Sequence, residues 1–389
     1  VSTAGLRAGF VPLVDAAPLV LARELGFAEE EGVALELSRA PSWSMLRDAL
    51  ATGRVEAAHM LAPVPVAAAL GLGGAVPPLD VVSVLSMNGT VVGVSQALGE
   101  TLRGSGHGFG FDDAAQAGRA LCAAMGPGLR VGVPFPLSMH AELLHRWLGD
   151  HGAVSLETRA VPPPLMAEAM AAGEIDAFCV GEPWGSVAVE GGVGELLLPG
   201  AAIWAFAPEK VLALRRDWLG EQEELAARLV RAVWRAGRWL AEPANHMVGA
   251  EILARPDHID VPAELLERAL SGRIVIDAAG LERRVPRFVE FHHGAAHFPW
   301  RSQAAWIGAR LASRFGLPAG PAAQAASAVF RSDLHRRFLE CTGADLPGAS
   351  SKIEGAVDRP TPAASRRGRL VLMPDLFFDR RIFDPLAVE

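Results

Sequence analysis

The chain has 389 residues, half of them hydrophobic and 21% charged, with a formal net charge of −8. That is apolar material for two or three cores. No Lys/Arg cluster marks a nucleic-acid surface, and no uninterrupted apolar run is long enough to span a membrane. Cys122, Cys179 and Cys341 are widely spaced and form no CxxC pair, so neither a metal site nor a disulfide framework is expected.

The opening stretch VSTAGLRAGFVPLVD enters a strand pattern at once, without the charged and apolar regions of an export signal. Together with free thiols this sets the expectation of a cytoplasmic chain. LRAGF reads as a strand, Asp15 follows it, and Pro18–Phe27 reads as a helix. Trp43 lies in APSW, before a helix expected to begin near Ser44.

Leu46–Pro63, LRDALATGRVEAAHMLAP, then matches Met166–Pro183, MAEAMAAGEIDAFCVGEP, at an offset of 120 residues. Each reads as a helix, a glycine stop (Gly53 or Gly173) and a short apolar strand of the kind covered on both faces. LRVGV (Leu129–Val133) likewise echoes LRAGF, so a strand–helix–helix–strand unit is expected twice.

Two α/β lobes follow, with a ligand cleft beyond the carboxyl ends of their strands. Asn88, Gly89 and Thr90 end the strand VVSVLSM, where the chain should cross between lobes. Lys210, after WAFAP, marks the return. The expected division is 1–90 for the first part of lobe one, 91–204 for lobe two, and 205–389 for the return to lobe one plus a helical C-terminal wrap.

Several polar residues fall at strand ends or helix starts. Converging helix N-termini with Lys210, and His140 protonated or donating N–H, would favour an anion. Each has a plainer reading: Asp15 as a helix cap, Trp43 as packing, His140 as a neutral helix-start residue, Glu209–Lys210 as a surface pair. Glu182 and Trp184, in the turn GEPW, are expected at the cleft wall, Glu182 neutralising a cation or capping backbone groups.

The histidines of FHHGAAHFPW (His292, His293, His297) read as structural, because Gly294 and Pro299 interrupt a helix there. GSGHGFGF is a loop lacking the strand and GK[ST] of a phosphate cradle. Leu225–Leu240 is an amphipathic helix, and the last forty residues read as loops that wrap the body.

The motifs GFVPLVDAAPLVLARELGF, APSWSMLRD, AAHMLAPVP, VPPPLMAEAM, DAFCVGEPW, PEKVLAL and FPWRSQAAWI together resemble the NrtA/CmpA-like nitrate/bicarbonate substrate-binding protein family. The resemblance implies the two-lobed type II periplasmic-binding-protein fold. Within the family the chain is most similar to cytoplasmic NasS-type nitrate/nitrite sensors. That implies a protein that holds an ANTAR-domain antiterminator (NasT-type) when empty and releases it on binding nitrate or nitrite.

Carried over motif by motif, the resemblance gives an anion pocket of Trp43, Thr90, His140, Pro163, Val180 and Lys210, supported by Asp15, Asn88, Glu182 and Trp184, with no cofactor. Thr90 stands where transporter relatives tend to have glutamine. Lys210 favours a monoanion over bicarbonate with calcium. Two other readings stand beside this one: a periplasmic nitrate or bicarbonate binding component of an ABC transporter, and an enzyme using Cys179 with His140.

Overall fold

The computed structural model describes residues 3–125, 128–149 and 156–388. Its strands form two mixed sheets built on one plan. In the first, β1 (Ala4–Phe10) pairs in parallel with β2 (Val33–Arg39) and β3 (Ala57–Leu61). The chain then runs along β4 (Leu79–Asn88) and crosses into β5 (Thr90–Ser95) of the second sheet.

That sheet is completed by β6 (Leu129–Val133), β7 (Leu156–Ala160), β8 (Ala177–Gly181) and β9 (Gly194–Pro199), after which β10 (Pro208–Arg215) re-enters the first. The orders are β2-β1-β3-β10-β4, extended at the β4 edge by the two residues Val289–Glu290, and β7-β6-β8-β5-β9. In each sheet the strand arriving from the other lobe, β10 or β5, runs antiparallel to both neighbours.

The repeat seen in the sequence is therefore a structural one, and its polar residues have a common task. Arg7 on β1 pairs with Glu56 and donates to the Gly53 carbonyl at 3.1 Å. Arg130 on β6 pairs with Asp176 at 2.6 Å and donates to the Gly173 carbonyl at 2.7 Å. Gly53 (φ 72°) and Gly173 (φ 69°) take the left-handed conformation that turns the helix into the next strand. The arginine clamps that turn onto the neighbouring strand.

The unit itself needs correction. An edge strand, β2 or β7, separates the two helices, making it strand–helix–strand–helix–strand. VALELSR buries only alternate residues at its start, so it lacks the continuous apolar run that marks β3 and β8. The helix after β2 begins at Trp43, capped by the Ser42 hydroxyl, which accepts from Met45 N–H at 3.3 Å.

The crossings are stitched together at Asn88. Its side-chain amide donates to Ala205 O at 2.8 Å and accepts from Ala207 N–H at 3.0 Å, tying the outgoing segment to the returning one. Asn88 (φ 58°) and Gly89 (φ 90°) both take positive φ to make the turn from β4 to β5.

Beyond β10 the chain is mainly helical, including Glu223–Leu240 and Arg301–Phe315, with a small hairpin of Arg273–Val275 and Glu282–Arg284. The last segment is extended and reaches both lobes. Arg314 pairs with buried Glu142, Arg146 pairs with Asp379, and Trp204, Trp306 and Phe377 stack in one aromatic cluster with Trp204–Phe377 centroids 4.8 Å apart.

Candidate functional site

The strand ends of both lobes converge on a buried charge cluster around Lys210. Its ammonium lies 2.8 Å from Asp15 Oδ2 and 3.0 Å from Glu209 Oε1, and all three side chains are buried. Neighbours on a regular strand point to opposite faces. Glu209 and Lys210 share a side because β10 is irregular here: Pro208 lies opposite Met87 and Lys210 opposite Ser86, two residues of β10 against one of β4. The surface-pair reading of Glu209–Lys210 is thus overturned.

So is the capping role for Asp15. No helix is capped by its side chain; instead Oδ1 sits 2.9 Å from His59 Nε2. His59, in the middle of the apolar run AAHML, escaped the sequence reading; a lone imidazole in a fully covered strand is the signal that could have found it. The Trp43 ring lies tilted against His59, centroids 5.4 Å apart, with the Lys210 ammonium 5.5 Å from its centre.

Lobe two supplies His140, from the helix Met139–Gly149, with Nδ1 3.0 Å from Glu209 Oε1 but not aligned as a hydrogen bond. Thr90 occupies the lobe-two counterpart of the Lys210 position: Lys210 pairs with Leu61 on β3, and Thr90 with Gly181, 120 residues on, on β8. Trp43 and Pro163 are related by the same offset, Trp43 opening the helix Trp43–Ala51 and Pro163 the 3-10 turn Pro163–Leu165. Val180 is buried in β8 opposite Val91. Pro163 is buried, and among the described residues no hydrogen bond or ion pair ties its side to the Lys210 cluster.

Electrostatics separate the two carboxylates. Burial alone would raise Asp15, but the Lys210 charge and the His59 hydrogen bond outweigh it and hold Asp15 at about 2. Burial raises Glu209 to about 7, against the pull of Lys210 and helped by the Asp15 charge. Lys210 is raised because its two acids outweigh desolvation. Burial, reinforced by Lys210, drives His140 well below the ordinary histidine value, and burial lowers His59. His140 is therefore the neutral, N–H-donating form of the two expected.

Several polar atoms in this region are buried without a hydrogen-bond partner in the protein: Trp43 Nε1, Thr90 Oγ1, both ring nitrogens of His140 and Glu209 Oε2. Buried donors left unpaired are costly. Of these, the Trp43 indole and the His140 ring lie beside the Lys210 cluster.

Glu182 and Trp184 serve the junction rather than the cluster. Glu182 Oε2 accepts from Ser186 N–H at 3.1 Å, so of the two roles expected for it capping holds, with no cation beside it. Its backbone carbonyl accepts from Val14 N–H at 2.9 Å, and the Trp184 indole donates to Pro12 O at 2.7 Å, both bonds joining the two lobes.

The histidines of FHHGAAHFPW are structural: His297 Nδ1 lies 2.9 Å from His335 Nε2, and His293 bonds Glu290. Among the described residues no group of three or more His, Cys, Asp and Glu could hold a metal ion. No helix of the described residues is long and apolar enough to cross a membrane.

Residues 2–254 match the model of the NMT1-like family. The chain belongs to that family. Over its full length this NMT1-like chain is 29% identical to the nitrate/nitrite binding protein NrtA of Nostoc sp., covering 85% of it. It is 30% identical over 79% of its length to the nitrate import ATP-binding protein NrtC of Synechocystis sp., of which it spans 45%.

The crystal structure of the periplasmic nitrate-binding protein NrtA from Synechocystis superposes with a TM-score of 0.84 at 25% identity, covering 100% of this chain and 99% of that one. The two-lobed fold and the NrtA-like kinship expected from the motifs hold. The proteins that match it over its whole length are binding proteins, which supports a substrate-binding reading over an enzyme. The Cys179–His140 alternative also fails chemically, because burial pushes the Cys179 thiol well above its ordinary value.

Proposed function

We propose that the chain binds nitrate or nitrite between its lobes, at the Lys210 ammonium. The observation that carries the reading is that the Trp43 indole N–H and the His140 ring nitrogens, buried beside the Lys210 cluster, have no hydrogen-bond partner, with the equally unpartnered Thr90 Oγ1 at the facing strand end of lobe two. A planar monoanion accepts in-plane hydrogen bonds from such a set, and exclusion of water by Trp43 strengthens each. The kinship with NrtA supports the same ligand. Pro163 and Val180 would then be walls of the pocket, and Lys210 its cation.

Calorimetric titration with nitrate, nitrite, chloride, and bicarbonate with calcium tests this. Heat from nitrate or nitrite alone is the expected outcome. Heat only from bicarbonate with calcium refutes the assignment.

The finer role we propose is that of a cytoplasmic sensor which holds an ANTAR-domain antiterminator when open and releases it when ligand closes the lobes. Linkage makes ligand and partner antagonists if each prefers a different lobe arrangement. A second reading is favoured by the relatives, a periplasmic nitrate-binding protein and a nitrate import ATP-binding protein: delivery of the anion to an ABC transporter. Pull-down of the antiterminator in the absence but not the presence of nitrate supports the sensor; no capture in either condition favours delivery.

A further inference from the structure

Two carboxylates against one ammonium leave the Asp15–Glu209–Lys210 cluster with one net negative charge when both histidines are neutral. An anion entering that buried space would meet like charge from the outset. Yet the Trp43 indole N–H and a neutral His140, both beside the cluster, are buried with no acceptor to donate to. One more proton resolves the conflict, and the cluster has a place for it: Glu209 Oε2 is buried and makes no hydrogen bond, while Oε1 faces Lys210 and His140.

We infer that the anion binds together with a proton, which is carried by Glu209, so that the site takes up a neutral pair and the Glu209 O–H becomes one more donor to the anion. The inference rests on the anion-binding reading above and names a specificity-determining residue within it. The bond formed is O–H on Glu209 Oε2; the proton comes from solvent and returns there when the anion leaves. A dianion would need a second proton, and no second acceptor is as well placed, so the site selects monoanions.

The groups facing Glu209 come from five elements. Lys210 is on its own strand, and Asp15 lies in the turn after β1, with His59 of β3 behind it. His140 projects from the helix of lobe two, and the Cys179 thiol of β8 feels both Glu209 and Lys210. Asp15 is held ionised by Lys210 and His59, and Cys179 keeps its proton. His140 is the one competitor, but burial beside Lys210 disfavours its charged form.

Glu209 titrates near 7 in the ligand-free protein. Below that it already carries the proton, so affinity should be level. Above it, each pH unit should weaken binding about tenfold, because the proton must be taken up with the anion.

The test is calorimetry with sodium nitrate and the wild-type chain at pH 6 and pH 8, each in two buffers of different ionisation enthalpy, followed by Glu209→Gln. The expected result is a Kd about tenfold weaker at pH 8, with close to one proton taken up per nitrate at pH 8 and little at pH 6. In Glu209→Gln, which keeps a donor but has no titratable group, the pH dependence and the uptake should vanish.

A wild-type chain that binds nitrate with the same Kd and no uptake at both pH values overturns the inference while leaving anion binding intact. Uptake that persists in Glu209→Gln moves the proton to a histidine and overturns it as well. If that variant does not fold, His140→Asn takes its place: uptake that persists there supports Glu209, and uptake that vanishes moves the proton to His140 and overturns the inference. No nitrate heat at either pH refutes the binding reading itself.

Discussion

Glu182 offers a stability test independent of any ligand. Its carboxyl is buried; Oε2 accepts from Ser186 N–H, and Oε1 has no partner. Burial, only partly offset by that hydrogen bond, raises it to about 7 from the ordinary 4.5. An acid raised on folding costs stability as pH rises: the penalty is absent below the unfolded value, grows between about 4.5 and 7, and is complete above. At about 1.4 kcal/mol per pH unit it should reach about 3 kcal/mol at pH 8.

Glu182→Gln keeps the acceptor for Ser186 and removes the ionisation. It should unfold at a higher denaturant midpoint than wild type at pH 8, by about 2–3 kcal/mol, and within about 1 kcal/mol of wild type at pH 4.5. Urea melts followed by tryptophan fluorescence at the two pH values give both numbers. A variant no more stable than wild type at pH 8 would mean that the ionised carboxylate is favoured in the fold, and the burial argument would fall.

Lys210→Met strands Asp15 and Glu209; nitrate heat should disappear and stability at pH 7 should drop by about 3–5 kcal/mol, read by urea melts. Trp43→Phe keeps a ring against His59 but loses the indole donor, so nitrate should bind about tenfold more weakly in calorimetry with little change in melting temperature. Asn88→Ala removes the two side-chain hydrogen bonds between the crossings and puts alanine at φ 58°; chemical denaturation should show a loss of about 2–3 kcal/mol.

What was legible in the sequence followed from short range. The helix–glycine–strand units declare themselves because Gly53 and Gly173 must turn left-handed and because β3 and β8 are covered on both faces. The two crossings could be located from Asn88-Gly89 and from the proline before Lys210. What was not legible depends on local irregularity or distance. β2 and β7 are half-exposed edges whose patterns resemble loops, and Glu209 faces Lys210 only through a bulge that no residue type announces.

The partners of Asp15 come from residues 59 and 210, so the cap reading was the one available locally. Likewise Arg314–Glu142 joins residues 172 positions apart. His140 and Thr90 stood out at a helix start and a strand end, and the resemblance gave them their pocket roles; the structure brings His140 to Glu209 and sets Thr90 at the lobe-two counterpart of Lys210.

The distribution of charge between the lobes sets an order of events. Asp15, His59, Glu209 and Lys210 all hang on the first sheet and complete one another there; the second contributes uncharged groups, His140 and Thr90. With Glu209 protonated that first wall is neutral overall, and it holds the cluster's one ammonium, so an anion arriving at an open molecule would find its cation there. On the proposed reading it would land on lobe one, and lobe two would arrive as a cover that checks its shape rather than its charge. Discrimination between anions of equal charge then belongs to the second step, and variants on the two walls should divide accordingly: those on the first wall altering how fast anions are captured, those on the second altering which of them stay.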